Sequence, residues 1–345
     1  MSLARAIETG DLTALPSRRD EDWRWTDIRG LVRVLPTASP ASVEPAGPGP
    51  FARLGDAEVA IVNGRGPTSW RTPAGATQVL RLRFIATVDA GAHAARFDIE
   101  VEAGGRLVLL ESYEGAGSAY VVEAMLDISL ADDAGLERVV IADDSALAVS
   151  VSSAKIALAP RADFGQTVLT TGARRQRQET QVSHPGGGAR ARLDGVYLLA
   201  EQRHADITTV VTHTGVDGTT NQLIKGVVDG QGRGVFQGRI VVRPGADRTD
   251  ARMGHHALLL SDRAEVDAKP ELEIHADDVS CAHGNTVGAL DEESMFYAQA
   301  RGIPADAARA MLTRAFVDEV VGRIDHHGAR AVAMAWLDDQ FGADA

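Results

Sequence analysis

The sequence predicts a mainly β chain flanked by two small helical regions. Three observations carry that expectation. From about residue 55 to 288, runs such as "EVAIVNG", "GRLVLLESY" and "HALLLSDRAEVDA" alternate apolar with polar residues at the period of a half-buried strand. Gly, Asn and Asp separate these runs at close, roughly even intervals, and 35 glycines with only 5% aromatic residues favour tight turns between short strands over large helical cores. Helical periodicity is confined to the two ends.

Two architectures satisfy this pattern: a sandwich or barrel, and a parallel β-helix whose coils stack short strands. Matched runs joined by a two-residue Asn-Gly turn are missing, and polar residues such as Asn221 and Gln222 fall where stacked coils would turn. Both points weigh toward the β-helix, and periodicity leaves both architectures open.

Taken in order, residues 1 to about 35 mix helical spacing with the clump "RRDEDWRWTDIRGL", in which Trp23, Trp25 and Ile28 are expected to pack on a neighbouring surface. Residues 36–50, "PTASPASVEPAGPGP", form a Pro, Ala and Gly-rich connector without hydrophobic periodicity. A boundary is expected there, giving an N-terminal region with its linker (1–50), a β core (51–288) and a C-terminal helical region (289–345). In the last of these, Asp291 reads as an N-cap with Glu292 and Glu293 in the first turn, and Gly302 as the stop of that helix. Pro304 is placed to open the next helix near its N1 position. Ala308, Met311, Leu312, Ala315, Phe316, Val320 and Ile324 then recur at three and four, one apolar face that either caps the β core or docks on a partner. A shorter segment, "GARAVAMAWLDDQF", reads as a further helix.

Composition excludes several functions. A net charge of -13 repels a phosphate backbone, and the 35 basic residues are spread along the chain, so nucleic acid is not an expected partner. No apolar run approaches the roughly 18 residues that span a bilayer, and the start carries no apolar leader; the expectation is a cytoplasmic protein with no membrane partner. A single cysteine excludes a disulfide framework and a self-contained four-cysteine metal or iron-sulfur centre. The three lysines, Lys155, Lys225 and Lys269, lie outside any P-loop, so no nucleotide is expected on this chain. "DGQGRGVFQG" has the wrong spacing for a dinucleotide fold, and neither G-x-S-x-G nor H-E-x-x-H occurs.

What remains is "DDVSCAHGNTVG", residues 277–288, which holds the lone Cys281 two positions before His283. On an extended strand, side chains two apart point to one side, roughly 6.5 to 7 Å from each other, so thiolate and imidazole can face one ligand or metal centre. Gly284 admits close approach of a second backbone. Both groups are soft-to-borderline ligands suited to iron or zinc, and the bland alternative is a small buried hydrophobe beside a hydrogen-bonded ring. A rival set, His275, Asp277 and His283, matches the two-histidine, one-carboxylate ligands of a mononuclear non-haem iron oxygenase, with His275 and Asp277 expected on one strand face. A β-helix lyase or hydrolase working through clustered carboxylates is a third reading, and such enzymes are normally exported. The adjacent pairs His255–His256 and His326–His327 read as surface or local packing.

Residues 221–303 closely resemble the SufB/SufD family of iron-sulfur cluster assembly scaffolds: Lys269-Pro270-x-Leu272-Glu273-Ile274, Ala276-Asp277-Asp278-Val279, Cys281-x-His283-Gly284 and Thr286-Val287-Gly288-x-Leu290-Asp291-Glu292-Glu293 occur together in order. Cys-x-His-Gly after Ala-Asp-Asp-Val is similar to the SufD side of the family, and "RRDEDWRWTDIRGL" resembles its entry motif, with Trp25 in place of the usual tyrosine. Ser280 and Ala282 depart from commoner family residues, and the chain is short, which implies fewer coils or a trimmed N-terminal region. The resemblance implies a right-handed parallel β-helix between helical regions. It further implies a non-enzymatic scaffold that pairs with SufB through the β-helix and binds a SufC ATPase through Ala308, Met311, Leu312, Ala315, Phe316 and Val320. By the same resemblance His283, and secondarily Cys281, help hold a transient iron-sulfur cluster shared with SufB. A reduced flavin in the assembled complex and a homodimer of the isolated chain are also implied, although the sequence holds no flavin motif.

Overall fold

The structure is a computed structural model that describes residues 2–41, 47–55, 57–115 and 119–342. Among these, seventeen strands follow one another. The first nine are β1 (Ala57–Val62), β2 (Ser69–Thr72), β3 (Thr77–Ala86), β4 (Ala92–Val101), β5 (Arg106–Gly115), β6 (Val121–Leu130), β7 (Gly135–Asp143), β8 (Val149–Leu158) and β9 (Asp163–Thr170). The rest are β10 (Arg175–His184), β11 (Arg190–Leu199), β12 (His204–His213), β13 (Thr219–Val228), β14 (Arg233–Val242), β15 (Thr249–Leu259), β16 (Glu265–Ile274) and β17 (Val279–Gly288). Odd-numbered strands build a nine-stranded sheet from β1 to β17, and even-numbered strands an eight-stranded sheet from β2 to β16. Every strand pairs in parallel with the strand two places on, as Asp163 with Arg190 and Arg190 with Thr219, so each coil takes about thirty residues. The fold is therefore a parallel β-helix, the second of the two architectures the periodicity allowed.

Corners repeat because a left-handed residue recurs there. Gly104, Asp133, Arg161, Gly188, Asp217 and Arg248 all have positive φ, and Arg161 straddles Asp133 at 2.8 and 2.7 Å as Arg248 straddles Asp217 at 2.7 and 2.8 Å. Asp tolerates that conformation through local hydrogen bonding, and stacking charges of opposite sign offsets part of the cost for Arg.

The coil interior is apolar at both ends of the stack, with Leu80, Phe97, Leu109, Leu126 and Phe164 at one end and Ile207, Ile224, Phe236 and Ile240 at the other. A polar seam threads through both. Arg138 lies 2% exposed inside the coil and grips Glu111 through two 2.7 Å bonds, while its third hydrogen bond, at 2.6 Å, goes to Gln166. Gln222, expected at a turn, instead points into the coil from the middle of β13 and accepts from Thr209 at 2.7 Å; a polar side chain sits there because the opposite strand supplies its partner. Asn221 points the other way, onto Arg323.

The end regions cover opposite outer faces. Helix α1 (Leu3–Thr9) and the turns after it bury Leu3, Leu15, Ile28 and Val32 on Val121, Val149 and Val151 of the eight-stranded sheet. Trp23 lies under the Arg177 guanidinium, 4.3 Å from its ring centre, so the aromatic clump packs within the chain, as expected. The connector 36–50 is described only outside 42–46; Ser39 is tied to Ala92, and Phe51 is already buried on the other sheet. There it meets helices α3 (Ala305–Val321) and α4 (His327–Phe341); their Val317, Val320, Ala333 and Leu337, with Ile324 in the link between them rather than on the α3 face, pack on Leu110, Ile141, Leu169 and Val196. Strands beneath these helices bury both faces, as β11 does, whereas the later part of β4, from Arg96 to Val101, alternates exposed and buried positions. Asp291 caps α2 (Glu292–Ala300) and Gly302 follows its end at φ 87°, both as expected, while Pro304 stands one place earlier than expected, at the N-cap of α3.

Candidate functional site

The last coil has nothing stacked on it. β17 pairs with β15 on one side only and β16 with β14 on one side only, so each ends its sheet. Exposure follows: the earlier coils are largely buried, whereas β17 is exposed at most positions and no residue of β16 is fully buried.

Register sets what this open end presents. Cys281 lies beside Ala251, His283 beside Met253 and Asn285 beside His255, and all three of those β15 residues are buried in the coil interior. Cys281, His283 and Asn285 therefore occupy inward-facing positions that remain open because no further coil covers them. His283 ends a row of interior partners that runs Leu109, Arg138, Gln166, Leu193, Gln222 and Met253 through successive coils.

The three side chains are held differently. Cys281 is half-buried and packs on the interior cluster that contains Ala251 and Met253. Burial, followed by the nearby Asp250 carboxylate, pushes its thiol above the ordinary value. Alone, the chain keeps that sulfur protonated at neutral pH, where only the thiolate ligates strongly. His283 is exposed. Asn285, which the sequence reading did not single out although it continues the same two-residue spacing, is fixed from behind by His255. The His255 ring is fully buried, stacked 4.9 Å from Phe236, 2.7 Å from Asn285 Oδ1 through Nδ1 and 2.8 Å from the Tyr197 hydroxyl through Nε2. His255 thus serves packing, while His256 is half-buried and bonds Thr286 at 2.7 Å; His326 caps α4.

The rival ligand set does not form. His275 and Asp277 lie in the bend between β16 and β17 rather than on a shared strand, both exposed, and among the described residues no three His, Cys, Asp or Glu side chains gather to hold a metal ion. Three strand positions can converge only if backbone pairing aligns them, and the bend breaks that alignment. What the face offers instead is one imidazole and one thiol, half of a tetrahedral ligand set, along an edge open to a second chain.

The SUF system FeS cluster assembly, SufBD core domain, matches residues 84–316. The chain belongs to this family. It is similar to the iron-sulfur cluster assembly protein SufD of Escherichia coli, 31% identical over 243 residues that cover 70% of this chain and 57% of that protein. A SufBD family protein of Synechocystis is 28% identical over 239 residues, 66% of this chain and 52% of the relative. One from Mycobacterium tuberculosis is 28% identical over 349 residues, 91% of this chain and 86% of the relative. The chain spans a little over half the length of the first two relatives. The SufBD match includes β17 and most of α3, so the open coil end and the helical cover both lie within it.

The six helical residues expected to bind an ATPase separate into three groups. Ala308 and Val320 are fully buried, and Val320 packs on the chain's own nine-stranded sheet. These two therefore cannot face a partner without α3 lifting off. Leu312 is half-buried, and Phe316 is half-buried with the Lys225 ammonium 4.6 Å above its ring. Met311 and Ala315 are exposed, as are Phe296 and Tyr297 of α2. Among the described residues no helix is long and apolar enough to cross a membrane.

Proposed function

We propose that this chain is a non-catalytic scaffold for iron-sulfur cluster assembly, whose open coil end pairs with a second β-helix subunit of the SufB kind and shares a nascent cluster with it through His283 and, secondarily, Cys281. One observation carries the reading: the inward-facing row Cys281, His283, Asn285 is left uncovered at a terminal strand with free backbone groups. An unpaired strand edge is a template for another chain. β16 carries Lys269 and Pro270, which suit an edge and discourage pairing, whereas β17 has neither, so a partner strand adds along β17. Ligands from that partner complete the coordination that one thiol and one imidazole begin, and the cluster is the cargo of the assembly. Exposed Met311 and Ala315, with Phe296 and Tyr297, are the surface offered to an ATPase of the SufC kind, which supplies nucleotide hydrolysis that this chain, lacking a P-loop, does not.

The test is reconstitution with a SufB-type subunit and a SufC-type ATPase, supplied with iron and sulfide. His283→Ala should leave the complex assembled and abolish its iron-sulfur absorbance. Full cluster yield from that variant overturns the role of His283, and failure of the wild-type chain to co-purify with the second β-helix overturns the scaffold reading.

A further inference from the structure

The entry clump and the start of β10 create a second feature, distinct from the row of Cys281, His283 and Asn285. The turn at Ser17–Asp20 is closed by the Asp20 carboxylate, which accepts from Ser17 N at 2.8 Å, and the turn at Asp27–Gly30 by Asp27, which accepts from Gly30 N at 2.8 Å. Arg29 N donates to Pro16 O at 2.9 Å and zips the two turns together. Between them and β10 opens a cavity of about 670 Å³ lined by Arg18, Arg19, Arg29, Arg33 and Arg175, with Asp27 the one carboxylate in its wall. None of the five guanidiniums makes an ion pair among the described residues, whereas Arg161, Arg190, Arg233 and Arg248 each pair with a carboxylate of a neighbouring coil.

Arg175 is the floor. It is half-buried, with its Nε sealed from solvent and unpartnered, so contact with the cavity runs through its other guanidinium N–H groups. Burial and the neighbouring Arg233 disfavour its charge, and Asp27 offsets only part of that. Four exposed guanidiniums around the half-buried Arg175 form a positive concavity on a molecule of net charge -13. At physiological salt, screening over about 8 Å lets the local cluster, rather than the total charge, set what the cavity attracts.

We infer that this cavity binds a small phosphate-class oxyanion, of the size of phosphate to pyrophosphate, with Arg175 as its deepest contact. Planar guanidinium forks match such oxygens in pairs, and an anion seated in the cavity gives Arg175, which makes no ion pair among the described residues, a counter-charge. Leu31 is the one large apolar residue of the wall, so the cavity offers neither the apolar anchor of a protein interface nor a stacking surface for bases.

The test is calorimetric titration of the full chain with pyrophosphate and with inorganic phosphate, each at low and physiological salt. Saturable one-to-one binding is expected, weakening with added salt, with R175Q and R29Q each reducing affinity at least tenfold and R190Q, remote and paired with Asp163, leaving it unchanged. R33Q is a second probe on an exposed side chain that should not perturb folding, and a melting curve checks R175Q. Absence of saturation at millimolar pyrophosphate in low salt overturns the proposal. So does equal weakening by R175Q and R190Q, or binding of a single-stranded oligonucleotide that pyrophosphate does not displace. The readout needs neither iron nor a partner, so its failure leaves the scaffold reading intact.

Discussion

His255 and Asn285 share one hydrogen bond, 2.7 Å from ring Nδ1 to amide Oδ1, across the last pair of coils. The amide oxygen only accepts, so Nδ1 carries the proton, and Nε2 then accepts from the Tyr197 hydroxyl 2.8 Å away. That chain fixes the Asn285 amide with its NH₂ group turned from His255. The expected result is an Nδ1–H tautomer for His255 in long-range proton–nitrogen correlation spectra, converting to a mixture of tautomers in Asn285→Ala. An Nε2–H tautomer in the parent chain would refute the arrangement.

Buried neutral histidines make the protein acid-sensitive. Desolvation holds His204 and His213 down to about 3 and His255 down to about 4, whereas the unfolded chain protonates near 6.5. Above pH 6.5 neither state is charged and these rings add no pH dependence. Below it the unfolded state binds protons that the folded state refuses, so stability is lost as pH falls toward 4. Each ring contributes a loss of roughly 2 kcal/mol between pH 6.5 and 5. Melting temperature should drop over that window, and a flat profile from pH 7.5 to 5 contradicts the burial of these rings.

Inside the coil, Arg138 and Glu111 are a fully buried, doubly bonded pair. Arg138→Met strands the Glu111 carboxylate in the interior and should cost about 3 to 5 kcal/mol, while the double change Arg138→Met with Glu111→Leu should recover most of it. Urea unfolding midpoints of the two variants decide the matter: a double variant no better than the single one would mean that packing, not charge, was lost.

Core positions on α3 and those proposed for docking separate by substitution. Val320→Asp buries a carboxylate against the nine-stranded sheet and should destabilise the chain by more than about 3 kcal/mol, whereas Met311→Asp, at 48% exposure, should stay within about 0.5 kcal/mol. In a pull-down with the ATPase, Met311→Asp should weaken binding while its melting curve stays unchanged. Undiminished capture would move the contact off that face.

Cys281, with its thiol pushed up by burial, should react with iodoacetamide several-fold more slowly at pH 7.5 than a free cysteine, since each unit of elevation removes nine-tenths of the thiolate. Adding the second β-helix subunit should protect it further. Reaction at the free-thiol rate with the partner present would place Cys281 outside the shared face.

Legibility in the sequence followed range. Strand period, turn residues, the Asp291 cap and the ordered motif around Cys281 and His283 are local, and each was readable because one stretch of chain contains its whole cause. Asn285 was passed over although two-residue spacing pointed to it, because its significance depends on His255, thirty residues earlier, and on Tyr197 behind that. The single apolar stripe of α3 was visible, but which of its residues meet the chain's own sheet was not: Val320 and Met311 look alike until packing buries one and exposes the other.

By itself, then, the sequence determined a mainly β chain with helical ends, a cysteine count too low to build a cluster site unaided, and the motif that carries Cys281 and His283. Only the tertiary structure decided that these residues end an interior row left open, that His275 and Asp277 fall away from His283, and that arginines read as scattered gather at one cavity. Arg175 joins Arg18, Arg19, Arg29 and Arg33 because parallel stacking brings β10 beneath the N-terminal turns. Spacing along a chain fixes which way side chains alternate, whereas long-range pairing fixes which of them meet and which meet nothing.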